Sequence, residues 1–207
     1  MHAHLVNLGI ETPYTQKNID QDRIKRLFSQ IMEEIGIDLS DDSMAETPHR
    51  LAKLYSTQEY FAGLDYSLFP KATVVDNKMG YDEMVLERNI TVNSLCEHHW
   101  LPVLGYAHVA YVPKKKVLGL SKLNRIVEFF SRRPQIQERL TAQIAETLKF
   151  LLETDDVAVC IDAEHMCVKT RGVEDSCSDT VTSKLGGGFK TVLAMRQEFF
   201  SLINVNR

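Results

Sequence analysis

In the N-terminal part of the chain, apolar residues recur at spacings of three and four. This spacing places apolar side chains along one stripe of a helix and predicts a helix over 20–36. Gly36 is a suitable residue to end it in the left-handed conformation. A second helix is predicted to begin at Thr47-Pro48, with Thr47 as N-cap and Pro48 in the first helical position. Residues 1–19 show no such stripe and are expected to form a loose arm.

After Phe69-Pro70 the helical spacing gives way to short runs rich in valine, isoleucine and tyrosine. Such runs are typical of strands. Strands are predicted over 73–76, 84–93, 103–113, 157–163, 165–173 and 190–195. Apolar stripes between them predict a helix over 121–132 and a longer helix that opens at Pro134, followed later by a short helix over 196–203.

This order of elements predicts an α+β fold, with helices on one face of a mostly antiparallel sheet. The helix over 121–132 and the helix opening at Pro134 would supply that layer. The chain is divided into an arm (1–19), an N-terminal helical region (20–68) and one larger domain (69–207).

Composition and charge limit the classes of partner. Hydrophobic residues make up 44% of the chain, which is enough for a full core. The formal net charge is 24 − 28 = −4, which gives no reason to expect nucleic acid or an anionic membrane as the main partner. No signal-like N-terminal run and no stretch of roughly 18–20 apolar residues is present, so a cytoplasmic protein is expected.

The four cysteines are sparse, and in a cytoplasmic chain metal binding is favoured over disulfides. Cys96 and His99 are three residues apart, so both side chains can reach one ion from a tight turn. Cys167 is the candidate third ligand, because strand alternation would place it on the same face as His165.

Two thiolates and one imidazole suit Zn²⁺ in tetrahedral geometry. Three protein ligands leave a position for water, whose pKa zinc lowers to about 7, and this arrangement is typical of a catalytic site. His98 and His165 beside the ligands would serve proton transfer. Cys-x-x-His also occurs by chance, and isolated cysteines are more often core residues; Cys160 is expected to be a buried inert thiol and Cys177 a surface thiol.

Basic residues cluster in three places. One cluster opens the helix that begins at Ser121, where free N–H groups and the helix dipole favour an anion. A second follows the start of the helix at Thr47, and a third follows Cys167. Each residue taken singly can be an ordinary surface residue, but three patches on an acidic chain indicate a polyphosphate ligand. The residues are Lys122, Arg125, Arg50, Lys53 and Arg171.

Glu138 lies in the first turns of the helix that opens at Pro134. Its carboxylate can accept hydrogen bonds from the N1–H and the 2-amino group of a guanine. It is also an acid near a helix N-terminus, where the dipole stabilises negative charge. From the pattern alone the second interpretation is preferred.

Five motifs, in the same order and in register, resemble the GTP cyclohydrolase I family. The resemblance extends from about residue 20 to the C-terminus and is weakest in the arm. The motifs are Glu46-Thr47-Pro48-His49-Arg50, Cys96-Glu97-His98-His99, Gly119-Leu120-Ser121-Lys122-Leu123-Asn124-Arg125, Arg133-Pro134-Gln135-Ile136-Gln137-Glu138-Arg139-Leu140 and His165-Met166-Cys167-Val168-Lys169-Thr170-Arg171-Gly172.

The resemblance implies a tunnelling fold (T-fold), in which two helices pack on one face of an antiparallel sheet, with 69–207 as the catalytic domain. It implies a homodecamer whose pockets lie at subunit interfaces. It also implies the conversion of GTP and water to formate and 7,8-dihydroneopterin triphosphate, the first step of tetrahydrofolate biosynthesis.

The resemblance further implies a role for each matched residue. Zinc would be held by Cys96, His99 and Cys167, in agreement with the interpretation from the residues themselves. Protons would be transferred by His98 and His165, and Ser121 stands where the family holds the base and ribose. Guanine would be bound by Glu138 and Gln137, and the triphosphate by Lys122, Arg125, Arg171, Arg50 and Lys53.

Two other classes of protein use similar residues. A zinc-dependent purine or pyrimidine deaminase shares the metal chemistry, but it should carry His-x-Glu and a later Pro-Cys-x-x-Cys, and this sequence has neither. A zinc-stabilised binding or scaffold module predicts four protein ligands and no turnover. Release of formate on mixing with GTP would distinguish a cyclohydrolase from these two classes.

Overall fold

The fold is built on a mixed β-sheet, seen in a computed structural model that describes residues 1–14, 19–56, 59–71 and 73–204. Within those residues the larger sheet has the strand order β5-β2-β3-β6-β7, and β1 pairs with β4 in a small separate ribbon. The strands are β1 (Val74–Asp76), β2 (Val85–Cys96), β3 (Pro102–Tyr111), β4 (Lys116–Leu118), β5 (Pro134–Gln135), β6 (Val157–His165) and β7 (Thr180–Leu185).

Four neighbouring strands of the larger sheet, β2, β3, β6 and β7, are antiparallel, as predicted. The short strand β5 pairs with β2 in the parallel direction, so the sheet as a whole is mixed. A register shift between Glu87 and Ile90 interrupts the β2–β3 ladder, and Asn89 within it has a φ of 57°. Such a bulge bends the strand locally.

The helices lie before, between and after the strands. They are α1 (His2–Asn7), α2 (Gln21–Glu34), α3 (Thr47–Leu54), α4 (Leu120–Ser131), α5 (Gln137–Leu152), α6 (Met166–Lys169), α7 (Gly187–Thr191) and α8 (Leu193–Asn204), with short 3₁₀ turns at Ala62–Leu64 and Tyr66–Leu68. In the described residues no helix is long and apolar enough to cross a membrane.

The two predicted N-terminal helices are present. The Asp20 side chain caps α2 by accepting a hydrogen bond from the Arg23 N–H at 2.9 Å, and Gly36 follows the helix with a φ of 86°. For α3 the predicted cap is wrong by one residue, because Glu46 occupies the N-cap and Thr47 is already helical.

Three predictions in the later part of the chain are wrong. Pro134 belongs to β5, and the long helix begins only at Gln137. The segment 165–173 is largely the short helix α6 and turns, and the segment 190–195 belongs to α7 and α8. Short apolar runs do not distinguish a strand from a buried helix. The edge strand β7 was missed because nearly all of its side chains lie at the surface and leave no alternating apolar signal.

The main core lies between the sheet and the helix pair α4 and α5. Val109 and Val159 on the sheet, and Ile126 and Ile144 on the helices, are fully buried in it. Ala158 points to the opposite face, as alternation requires. There Phe189 and Phe199 of the C-terminal helices cover it. The expectation of helices on one face alone is therefore incomplete, because α7 and α8 cover part of the other.

The glycine run before α7 allows a close backbone approach. Gly187 has a φ of 47°, and a Cβ there would lie 2.1 Å from Oδ1 of Asp156. The same carboxylate oxygen accepts the Gly188 N–H at 2.6 Å. Any side chain at Gly187 would break this contact between α7 and the loop before β6.

The N-terminal residues are packed rather than loose. Leu5 of α1 is fully buried in the main core. Glu11 forms an ion pair with Arg133 at 2.7 Å, with almost no exposure of either side chain. Breaking one side of such a buried pair costs about 3–5 kcal/mol. Residues 15–18 of the expected arm lie outside the described residues, and the division of the chain at 19 and 68 stays a prediction.

Candidate metal centre and active site

The turn that follows β2 forms one half of the candidate metal centre. The Cys96 carbonyl accepts the Trp100 N–H at 2.9 Å, and the Cys96 N–H donates to the Leu101 carbonyl at 2.9 Å. Trp100 adopts a φ of 53° to close this turn. The turn folds His99 back over the strand end, so that its Nδ1 lies 3.9 Å from Cys96 Sγ.

The start of α6 supplies the other half. β6 ends at His165, paired with Val103 of β3, and Cys167 follows in the first turn of α6. The ligand atoms of Cys96, His99 and Cys167 all lie within 4.8 Å of one another. The three residues predicted as ligands are therefore placed to bind a metal ion. The predicted reason for Cys167 is wrong, since a helical turn rather than strand alternation positions it.

The Cys167 thiol has a shifted pKa. Burial raises the pKa of the Cys167 thiol above its ordinary value, and the adjacent Cys96 sulfur raises it further. The charge of Arg171 acts in the opposite direction. Because a metal ion binds thiolates, binding at this centre should release protons and should weaken as the pH falls.

Arg171 contacts the outer side of the candidate centre. Its Nη1 lies 2.5 Å from Nε2 of His99. A guanidinium can only donate, so His99 accepts through Nε2 and its proton resides on Nδ1. Binding of a metal through Nδ1 requires the opposite tautomer. Arg171 must then leave His99, which frees the guanidinium for another acceptor.

His165 is held by Gln137. The Gln137 Nε2 donates to the carbonyls of Ile161 and Thr180, at 3.1 and 2.7 Å. Its Oε1 must therefore face His165, and it lies 2.7 Å from Nε2. His165 donates from Nε2, which leaves Nδ1 as the proton acceptor. Burial lowers the pKa of His165, while the charge of Glu138 raises it, with a net shift downward.

The two residues predicted to bind guanine differ in their surroundings. Glu138 is exposed in the first turn of α5, close enough to His165 to influence its pKa. Gln137 is buried, and both ends of its amide are engaged within the chain. Direct contact of Gln137 with guanine stays a prediction.

His98 is exposed at the surface beside the ligands, with 64% of its side chain accessible. Its Nε2 lies 3.8 Å from Glu97 Oε1. Glu97 in turn is held by Arg139, whose Nη1 donates at 2.9 Å. Neither Glu97 nor Arg139 was singled out from the sequence, although both lie within the motifs, because their pairing depends on the fold bringing the turn after β2 to the first turn of α5.

Helix α3 reaches the metal turn. The hydroxyl of Tyr55, the residue after α3, donates to the Trp100 carbonyl at 3.2 Å, and the two rings stack with centroids 5.6 Å apart. Arg50 and Lys53 are exposed on α3. Two of the predicted phosphate-binding residues thus belong to a helix whose C-cap residue contacts the turn that carries Cys96 and His99.

Helix α4, unlike α3, begins far from the candidate centre. Its start is close to Tyr111, whose hydroxyl accepts the N–H of Leu118 at 3.1 Å, and Tyr111 pairs with Val85 at the beginning of β2. Its end approaches the other end of β2, next to Cys96. A helix rises 1.5 Å per residue, so the ten residue steps from Ser121 to the helix end at Ser131 span about 15 Å. Within one chain, Ser121 and its neighbours Lys122 and Arg125 are not brought to the metal ligands.

The remaining cysteines are as predicted. Cys160 is buried beneath the C-terminal helices, and Cys177 is exposed. A mixed sheet with helices on both faces carries a thiol–imidazole centre beside the half-buried His165, and these features define an α+β protein with a candidate metal-binding site.

Comparison with known proteins identifies the family. The sequence model of GTP cyclohydrolase I matches residues 24–204. Relatives named GTP cyclohydrolase 1 include those of Serratia proteamaculans (strain 568), 54% identical over 207 residues, and Aeromonas hydrophila subsp. hydrophila, 55% identical over 205 residues. The alignments cover 98% and 97% of this chain and 93% and 94% of the relatives. The chain belongs to the GTP cyclohydrolase I family of hydrolases.

Among solved structures, the archaeosine synthase QueF-Like is similar over 52% of this chain and 95% of its own, with 16% identity and a TM-score of 0.37. A similarity of that size carries no argument about the fold.

Proposed function

We propose that this protein hydrolyses GTP to formate and 7,8-dihydroneopterin triphosphate, the first step of tetrahydrofolate biosynthesis. The observation that carries the proposal is the convergence of Cys96, His99 and Cys167 within 4.8 Å, beside His165, in a chain of this family. Unpaired thiols at the site agree with a cytoplasmic location, where thiols stay reduced.

The metal we propose is Zn²⁺, held by Cys96, His99 and Cys167. The donor set fits, because two sulfurs and one imidazole match the preference of zinc for soft and borderline ligands. When bound, zinc supplies a Lewis acid and a water of lowered pKa. A set of three protein ligands, one of them the exposed His99, would be typical of a catalytic zinc site.

The chain's own residues orient the base and move protons. Glu138, exposed on the first turn of α5, would accept the N1–H and the 2-amino group of guanine. His98 would donate a proton to N7, which makes C8 electrophilic. Water would then add to C8, and cleavage of the C8–N9 bond would open the imidazole ring to a formamide. His165, fixed by Gln137 with Nδ1 as acceptor, would take up a proton during hydration.

The triphosphate would meet several cationic groups. Arg171, once released from His99, and the exposed Arg50 and Lys53 of α3 belong to elements near the metal ligands of the same chain. Lys122 and Arg125 would come from another subunit, with Ser121 beside the ribose, because α4 begins at the far end of β2.

A shared site requires an oligomer, and we propose the T-fold homodecamer of the family. Exposed apolar side chains at the C-terminal end of α2 support an additional interface, since Ile31 in the helix and Ile35 just after it are 57% and 71% accessible in the single chain. The acidic net charge gives no reason to add nucleic acid or a membrane as a partner.

The test is incubation of the metal-loaded protein with GTP, followed by mass analysis of the products. Formate and a dihydropterin triphosphate are expected in equal amounts. Ammonia in place of formate would favour the deaminase alternative. A fully metal-loaded protein that leaves GTP unchanged would favour a binding or scaffold module.

A further inference from the structure

The metal ligand Cys96 lies against a very short strand. Gln135 of β5 is its partner in the parallel ladder, and the Gln135 carbonyl accepts the Glu97 N–H at 3.1 Å. Two residues on each strand form this ladder. Because this ladder is so short, it holds β5 only weakly. The position of β5 therefore depends on the contacts of its side chains.

The Gln135 side chain joins β5 to the helical layer. It is buried, and its Nε2 donates to the Phe130 carbonyl at 2.9 Å and to Gln143 Oε1 at 2.7 Å. Gln143 is fully buried on α5. Its Nε2 donates to the Ile10 carbonyl at 2.8 Å and to Thr12 Oγ1 at 3.3 Å. A buried relay of two amides therefore connects the N-terminal segment with the residue beside Cys96.

The N-terminal segment also contacts the residue that precedes β5. Glu11 Oε1 accepts from Arg133 Nη1 at 2.7 Å and from the Thr12 N–H at 2.9 Å, and the Tyr66 hydroxyl donates to the other carboxylate oxygen. Arg133 is fully buried and immediately precedes β5. Its guanidinium also donates to the Gly63 carbonyl.

We infer that residues 10–12, here called the strap, position the metal ligand Cys96 by clamping β5 through Glu11–Arg133 and through Gln143–Gln135. The strap lies outside residues 24–204, which match the family model. The inference rests on the proposed function, because it takes Cys96 as a metal ligand. The strap is a positioning element and contacts no ligand atom itself.

The experiment compares zinc dissociation from wild type, Gln143→Leu and Glu11→Gln, followed with a chromogenic chelator in excess. Gln143→Leu keeps the approximate volume but breaks both arms of the relay. Partners that orient metal ligands typically contribute 10–100-fold to metal affinity, so dissociation about tenfold faster is expected. Trp100, the single tryptophan of the chain, adjoins His99, and its emission should shift in both variants.

The control is Phe199→Leu, in the separate cluster on the other face of the sheet. It should lower the melting temperature but leave zinc dissociation and Trp100 emission as in wild type. If Gln143→Leu and Glu11→Gln lower the melting temperature yet release zinc at the wild-type rate, the strap is only structural and the inference is overturned. Should Gln143→Leu fail to fold, the milder Glu11→Gln decides.

Failure of the proposed function gives a different result. A wild-type protein that binds zinc at one per chain but does not release formate from GTP would reject the proposed reaction and leave the strap effect measurable. A wild-type protein that binds no zinc would reject both.

Discussion

The Gln137 amide oxygen lies 2.7 Å from His165 Nε2, while its nitrogen donates to two backbone carbonyls on β6 and β7. The orientation of the amide is thereby determined, and with it the tautomer of His165. A residue that the family resemblance relates to guanine thus acts, in this structure, on a neighbouring histidine.

The two roles of Gln137 can be separated kinetically. In Gln137→Leu, His165 loses the acceptor that orients it, so kcat should fall about tenfold or more while KM for GTP changes little. Thr141→Val is the control, because it removes the hydrogen bonds of the Thr141 hydroxyl to Thr182 of β7 and to the Gln137 backbone carbonyl, while the Gln137 side chain keeps its contact with His165. A large rise in KM with kcat retained would instead support direct binding of guanine.

Loss of a thiolate ligand should remove the metal. In Cys167→Ala, metal analysis should show zinc largely lost and formate release abolished, because two ligands hold the ion poorly. Cys177→Ala, an exposed cysteine in the following loop, should keep both. Full zinc content and full activity in Cys167→Ala would exclude this residue as a ligand.

His98 is expected to contribute to turnover and not to metal binding. His98→Ala is expected to retain zinc while formate release falls by about 10²–10⁴, the range of general acid–base catalysis. Its exposure makes a folding defect a poor explanation for such a loss. Unchanged turnover in His98→Ala would show that another group protonates the base.

Glu138 should determine the choice of base. A carboxylate bonded to N1–H and the 2-amino group is left unpaired against adenine, so the wild type should process GTP and reject ATP. The rate of turnover of ITP, which lacks the 2-amino group, should lie between those of GTP and ATP. In Glu138→Gln, the rates of turnover of GTP and ITP should differ less than in the wild type. Equal rates with GTP and ATP would disprove the guanine role.

The position of α4 predicts that active sites are shared between subunits. Sedimentation should show an assembly much larger than a dimer, nearest a decamer. Inactive Lys122→Ala and inactive Cys96→Ala chains, unfolded and reassembled together, should recover part of the activity, because some pockets receive an intact group from each chain. Mixed assemblies that form, as judged by tagged pull-down, yet stay inactive would contradict a shared site.

Local pattern was enough to predict several elements of this fold. Helix α2 has a strong apolar stripe, a capping aspartate and a terminal glycine, and these act over neighbouring residues. Strands β2, β3 and β6 carry the β-branched and aromatic residues that a half-buried or buried strand requires. Two of the three candidate metal ligands, Cys96 and His99, were also predictable, because they share one turn.

Other features depended on residues far apart in the sequence. Cys167 reaches Cys96 by way of a helical turn, and β7 is a strand because β6 offers it a backbone edge rather than because of its side chains. Glu11 forms its ion pair with Arg133, a residue 122 positions away in the sequence. Spacing along a chain reports only which side chains share a face; which faces meet is decided by packing, and only the tertiary structure contains that information.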